Sequence, residues 1–187
     1  MIFTPTHLAG LWLVEMERRV DERGYFARTW CAREFAEHGL EARLAQASLS
    51  FNPRRGTLRG MHYQRSPHAE AKLVRCIRGA IWDVAIDLRA RSPTRGRWQG
   101  FALSAENGRA LHISEGFAHG FQTLAPDTEV LYLISASYAP EAAAGVRYDD
   151  TAFAISWPLP VACISPRDAA WPDYRVEAEG AETLPGG

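Results

Sequence analysis

The clearest periodic signal in the chain lies at residues 80–88. There Trp82, Val84, Ile86 and Leu88 share one side of a two-residue alternation, and Asp83 and Asp87 share the other. Successive side chains of a strand point to opposite faces, so this segment predicts a half-buried strand. Residues 72–77 form a second apolar run opened by Lys72, and Arg78-Gly79 can turn the chain between the two. Further strands are predicted at 11–15, 25–30, 43–51, 57–64, 98–104, 110–113, 119–124 and 128–137, with turn signals such as Glu106-Asn107-Gly108 between them. One short helix is predicted at 32–38, ended by Gly39.

Many short strands with closely spaced turns predict an all-β fold, a closed barrel or a double-sheet jelly roll with few helices. The 187 residues fit one domain, and neither an internal repeat nor a linker is visible. We place that domain at 1–172, with the Pro-rich stretch 157–172 packed over the barrel and a poorly ordered tail at 173–187.

Composition narrows the function. Charged residues are 23% of the chain and the formal net charge is -1, so no overall field favours nucleic acid or an anionic membrane. An anion site must then be a local group of Arg and Lys. The cysteines, Cys31, Cys76 and Cys163, are odd in number and form no Cys-x-x-Cys pair. That argues against a disulfide framework and fits a reducing cytoplasm. The start, Met1-Ile2-Phe3-Thr4-Pro5, lacks the basic region of a signal peptide, and no apolar run is long enough to span a bilayer.

Some polar residues are left unexplained by periodicity. Asp21-Glu22-Arg23-Gly24 is a charged turn. Residues 54–64 mix arginines, glycines and His62 in a strand-like segment. Lys72 opens an apolar strand, and Gly116-Phe117-Ala118-His119-Gly120-Phe121 sets a histidine among glycines and aromatics. Singly, each has a plain reading as a solvated strand end, a capped turn or a satisfied core histidine. Together they amount to an all-β domain with room for an anion site.

In combination and in order, the segments resemble the dTDP-4-dehydrorhamnose 3,5-epimerase family, metal-free cupin-type jelly rolls. The resemblance rests on Asp21-Glu22-Arg23-Gly24-Tyr25-Phe26, on Gly56-Thr57-Leu58-Arg59-Gly60-Met61-His62-Tyr63-Gln64 and on Lys72-Leu73-Val74-Arg75. It continues through Asp83 to Arg89, Ser92-Pro93-Thr94, Gly116 to Phe121 and Ser165-Pro166-Arg167-Asp168. It implies a cupin-type jelly-roll β-barrel that epimerises a dTDP-linked 4-keto-6-deoxyhexose at C3 and C5, on the route to dTDP-L-rhamnose and cell-surface polysaccharide. By the resemblance His62 is the general base, Asp168 its carboxylate partner, Tyr132 the acid on the opposite face, and Lys72 the cation beside the enolate oxygen. Arg23, Gln46, Ser48, Arg59 and His119 take positions that contact sugar or diphosphate, and Phe26 and Tyr138 line the nucleotide or sugar pocket. It also implies a homodimer that exchanges N-terminal strands, which would lend Arg23 and Phe26 to the neighbouring site.

The residue types suit that chemistry. A C–H beside a ketone is acidic because the carbanion delocalises onto oxygen, and imidazole is a base of matching strength near neutral pH. A carboxylate orients such an imidazole, a fixed cation stabilises the enolate, and arginine forks onto diphosphate. No cofactor is implied. No metal is expected either, since the run His62-Tyr63-Gln64 lacks the His-x-His pair and the other histidines are scattered.

Arg28, Ser48 and Ala143 depart from the family pattern, at positions that bear on the base and the sugar rather than on the proton-transfer set. Within an ideal strand Arg59 and His62 would face opposite sides, so a shared pocket requires an irregularity, and Gly60 is placed for a bulge. Three rival readings stand beside this one: a 3- or 5-mono-epimerase, a 3,4-ketoisomerase, and a sugar-nucleotide-binding jelly roll without catalysis.

Overall fold

The computed structural model of the chain describes residues 1–175. Two antiparallel sheets face one another in a jelly-roll arrangement. The first has six strands in the spatial order β1 (Ile2–Pro5), β2 (Leu11–Glu15), β10 (Ala110–Ile113), β7 (Lys72–Arg78), β12 (Thr128–Ile134) and β5 (Gln46–Asn52). The second has five, in the order β13 (Ala143–Gly145), β6 (Leu58–Gln64), β11 (Phe117–Thr123), β8 (Ala80–Asp87) and β9 (Trp98–Ser104). A separate hairpin joins β3 (Arg19–Asp21) to β4 (Gly24–Phe26), and the helices α1 (Ala32–Glu37) and α2 (Pro166–Ala169) are short.

The core fills the space between the sheets, where Leu11, Val74, Ile81, Ala85, Leu111, Phe117, Phe121 and Val130 form one cluster. A second cluster covers the outer face of the five-stranded sheet. It joins Met61, Val84, Ile86 and Ala118 to Phe153, Ile155, Trp157 and Tyr174. The third packs α1, through Phe35, onto Val14, Leu73 and Ala110 of the six-stranded sheet.

These clusters correct the reading of residues 80–88. The strand is buried on both faces, and Asp83 and Asp87 have no exposed surface. The apolar face lies under the returning C-terminal segment, while Asp83 shares its side with Ile81 and Ala85 and so faces the barrel interior. The period was right but the aspartates are not on a wet face. Buried charge must be paired, and both are: Asp87 accepts from Arg89 at 2.7 Å, and Asp83 meets His119 at 2.7 Å.

Most strands match their predicted positions. β4 is shorter than predicted because the chain leaves the hairpin after Phe26, and β12 stops at Ile134, three residues early. β1, β3 and β13 were not predicted; each is three or four residues long and carries too few periods to stand out. The stretch 157–172 does cross the barrel, where the Gln122 amide bonds both the C=O and the N–H of Leu159. The packed chain runs past 172, since the Tyr174 ring lies tilted against Phe153 with ring centroids 4.9 Å apart. From 176 onward, the expectation of a poorly ordered tail lies outside the described residues. Among the described residues no helix is long and apolar enough to cross a membrane.

Candidate active site

A cavity of about 450 Å³ opens between the sheets. Its first wall is the six-stranded sheet, with Gln46, Ser48 and Ser50 of β5, Lys72 of β7 and Tyr132 of β12. Its second is the five-stranded sheet, with Arg59 and His62 of β6 and His119 of β11. Tyr138, Ala143 and Arg167 complete the rim.

β5 explains how a strand turns polar groups inward. Gln46, Ser48, Ser50 and Asn52 alternate with Ala47, Leu49 and Phe51. Asn52 is buried, whereas Leu49 and Phe51 are about half exposed. The polar set therefore faces the barrel, the reverse of the ordinary pattern.

His62 and His119 reach one wall because β6 is irregular. His119 pairs with His62 and Phe121 with Arg59, so three steps on β6 match two on β11. The extra residue is a β-bulge that restores a common facing to Arg59 and His62. It falls at Gly60, whose φ of +125° is open to glycine, and where an added Cβ would sit 2.5 Å from Gly120 Cα.

The His62 Nε2 lies 2.7 Å from Asp168 Oδ1, while Asp168 Oδ2 accepts from the Gly60 N–H at 3.1 Å. The Ser165 hydroxyl accepts from the Asp168 N–H at 3.1 Å and so caps α2, fixing the carboxylate. Burial pushes the Asp168 carboxyl up, but hydrogen bonds from His62, Gly60 and Ser165 and attraction to the imidazole outweigh it and hold it below the usual value. An ionised Asp168 accepts the Nε2–H, which leaves Nδ1 as the unprotonated nitrogen of neutral His62, without a hydrogen-bond partner among the described residues.

Tyr132 stands on the opposite wall. Burial pushes its phenol well above the ordinary value, opposed by a hydrogen bond with Ser50 and the nearby charge of Arg59. The phenol thus keeps its proton at neutral pH. Arg59 donates from Nε to Asn52 Oδ1 at 2.7 Å, and Asn52 donates to Ser50 at 3.3 Å, so a polar chain runs from the arginine to Ser50. The Lys72 ammonium pairs with Glu70 at 2.8 Å and approaches the His62 carbonyl at 3.5 Å; both charged side chains are about nine-tenths buried.

Nine of the eleven predicted site residues thus meet: His62, Lys72, Tyr132, Gln46, Ser48, Arg59, His119 and Tyr138 line the cavity, and Asp168 backs His62. The other two do not. Arg23 is paired with Asp21 of its own hairpin at 2.6 Å, and Phe26 is 76% exposed beside Met1, Glu17 and Glu34. Sequence reasoning missed Ser50, Asn52, Glu70 and Arg167. The even spacing of polar residues from Gln46 to Asn52 was the available signal for the first two. Among the described residues, no three His, Cys, Asp or Glu side chains gather as metal ligands.

Comparison with known proteins identifies the family. The family described as dTDP-4-dehydrorhamnose 3,5-epimerase matches residues 5–175. A dTDP-4-dehydrorhamnose 3,5-epimerase from Methanothermobacter thermautotrophicus is 45% identical over 176 residues, covering 92% of this chain and 94% of that protein. A dTDP-4-dehydrorhamnose 3-epimerase from Streptomyces niveus is 41% identical over 169 residues, covering 90% and 81%. The structure of a dTDP-6-deoxy-D-glucose-3,5-epimerase from Legionella pneumophila in complex with dTDP-4-keto-L-rhamnose has a TM-score of 0.85 and 36% identity, covering 94% of this chain and 99% of that one. Carrying the family's jelly roll and matching it over nearly its whole described length, the chain belongs to the dTDP-4-dehydrorhamnose 3,5-epimerase family.

Proposed function

We propose that the cavity binds a dTDP-linked 4-keto-6-deoxyhexose and inverts it at C3 and C5. One observation carries the reading: His62 and Tyr132 belong to opposite sheets and face the same cavity. A sugar ring held between them meets a base on one face and an acid on the other, which is what inversion of a C–H centre requires.

His62 Nδ1 takes the proton from a carbon beside the ketone, and the C–H electron pair moves onto the ketone oxygen as an enolate. The Lys72 ammonium, its side chain about nine-tenths buried, stabilises that charge. The enolate then collapses, its carbon taking the Tyr132 proton on the other face. The tyrosinate left behind is steadied by Arg59 and reprotonated from solvent, while the imidazolium, held by Asp168, gives up its proton. Arg59, with Nε anchored on Asn52 and its terminal nitrogens without a partner among the described residues, can fork onto the diphosphate.

The hairpin residues Arg23 and Phe26 find their use in a dimer. An exposed hairpin bearing Val20, Tyr25 and Phe26 suits docking onto a second copy, which would add Arg23 and Phe26 to that copy's cavity. Light scattering at micromolar concentration should then report a dimer.

Proton NMR in D₂O with dTDP-4-keto-6-deoxyglucose tests the reaction. Deuterium at both C3 and C5, with inversion at each, is expected. Deuterium at one carbon alone would favour the mono-epimerase reading, which the resemblance to the Streptomyces niveus 3-epimerase keeps in view. No exchange at either carbon would overturn the proposal.

A further inference from the structure

Gln64 has no part in the proton transfers above, yet its side chain is almost fully buried and all its polar groups are engaged with main chain. Its Nε2 donates to His68 O at 2.9 Å and to Ser137 O at 3.2 Å, and its Oε1 accepts from Ala139 N–H at 2.7 Å. A primary amide offers two donor hydrogens and an acceptor, and here they span two loops at once. One, residues 65–71, leads into Lys72. The other, residues 135–142, follows β12 and carries Tyr138.

The second loop is held with unusual completeness around one residue. Gln64 takes the C=O before Tyr138 and the N–H after it, and the Gln46 Oε1 accepts the Tyr138 N–H itself at 2.8 Å. The Tyr138 ring, meanwhile, is 56% exposed and stands on the cavity rim. The backbone is fixed while the ring is left free to meet something. Surface loops are ordinarily the mobile parts of a fold, and a ring that is ordered in advance pays no ordering cost when a ligand arrives.

We infer that Gln64 is a positioning residue, which pins residues 137–139 so that the Tyr138 ring stands as a preformed wall for the nucleotide end of the substrate. The inference rests on the reading, proposed above, that this cavity takes a nucleotide sugar. A wall that meets the nucleotide rather than the reacting carbons binds ground state and transition state alike, so its loss appears in KM rather than kcat.

The test is a double-mutant cycle on dTDP binding, with kinetics beside it. Gln64→Met keeps the length of the side chain and removes its hydrogen bonds. It should raise the dTDP Kd and the substrate KM about tenfold, the scale of one stacked aromatic contact, with a much smaller change in kcat. Tyr138→Ala should do the same, and Gln64→Met added to Tyr138→Ala should cost nothing further, because the wall is already gone. If instead the two losses add in full, or Gln64→Met leaves Kd unchanged, the positioning role is overturned. If Tyr138→Ala leaves dTDP binding unchanged while deuterium exchange at the sugar persists, the reaction reading stands and this inference alone falls. Should Gln64→Met fold poorly, Gln64→Glu retains an acceptor for Ala139. That variant loses only the bonds donated to His68 O and Ser137 O, so the dTDP Kd and the substrate KM should still rise while the β8 amides stay protected, and an unchanged Kd in a folded Gln64→Glu would overturn the inference.

Discussion

His62 and His119 sit directly opposite one another on β6 and β11, and each places Nε2 2.7 Å from an aspartate of its own, Asp168 and Asp83 respectively. What separates them is access. The His62 side chain is 43% exposed, whereas His119 is 5% exposed against a wholly buried Asp83. The same pairing therefore leaves one imidazole reachable and the other buried at the cavity wall. His62→Ala should nearly abolish deuterium entry beside the ketone, a loss of about 10²–10⁴ in rate. His119→Ala should slow turnover but leave exchange measurable. Exchange at the parental rate in His62→Ala would show that the base is another group.

The acid should fail differently. Tyr132→Phe keeps His62, Lys72 and the shape of the cavity, so the enolate still forms. An imidazolium that exchanges with solvent can return deuterium to the original face. Washout without inversion is the expected result by NMR, at whichever carbon depends on Tyr132. Normal inversion in this variant would remove Tyr132 from the mechanism.

Arg59 should govern the diphosphate. Arg59→Ala should weaken dTDP by about 10- to 150-fold, equivalent to the roughly 1.5–3 kcal/mol of a charge-assisted hydrogen bond. Asn52→Ala, which removes the Nε anchor together with the bonds Asn52 donates to Ser50 and Thr128 but keeps the guanidinium, should weaken it less. Calorimetric titration with dTDP reads both, and unaltered binding to Arg59→Ala would refute the assignment.

The bulge should tolerate no side chain. In Gly60→Ala the new Cβ would stand 2.5 Å from Gly120 Cα and 2.9 Å from His119 O, on a residue whose φ is +125°. Backbone cannot yield as a flexible side chain can, so a loss on the order of 3 kcal/mol is expected in urea denaturation. Stability equal to the parent would mean that β6 does not need the bulge.

His112 should make the fold acid-sensitive. It is buried, neither ring nitrogen has a hydrogen-bond partner among the described residues, and burial pulls its pKa down to about 4, against a smaller opposing pull from Glu41. Between about pH 4 and 6.5 the unfolded chain binds the proton and the folded one does not, so stability falls as pH falls through that window. The full effect is on the order of 3 kcal/mol. His112→Phe should flatten this part of the curve of unfolding free energy against pH. An unchanged slope would assign the acid sensitivity elsewhere.

Strand positions were legible because period-2 alternation is a local property: β2, β9 and β10 lie where their residues predict them. The bulge at Gly60 was also legible, since Arg59 and His62 cannot share a face of a regular strand and glycine alone fits the irregularity. The identities of His62, Tyr132, Lys72 and Asp168 could be matched to a family from sequence, because motif order survives without coordinates.

Tertiary structure decided the rest. Whether Asp83 meets water or the barrel interior depends on a C-terminal segment that returns some seventy residues later to cover the other face of β8. That His62 presents Nδ1 rather than Nε2 depends on where α2 delivers Asp168, 106 positions along the chain. Gln64 reads locally as an ordinary strand residue, and only the meeting of two loops gives its amide three partners. Alternation encodes which side of a strand a residue takes. What lies on that side is set by segments distant in the chain, and burial, pairing and proton position follow from them.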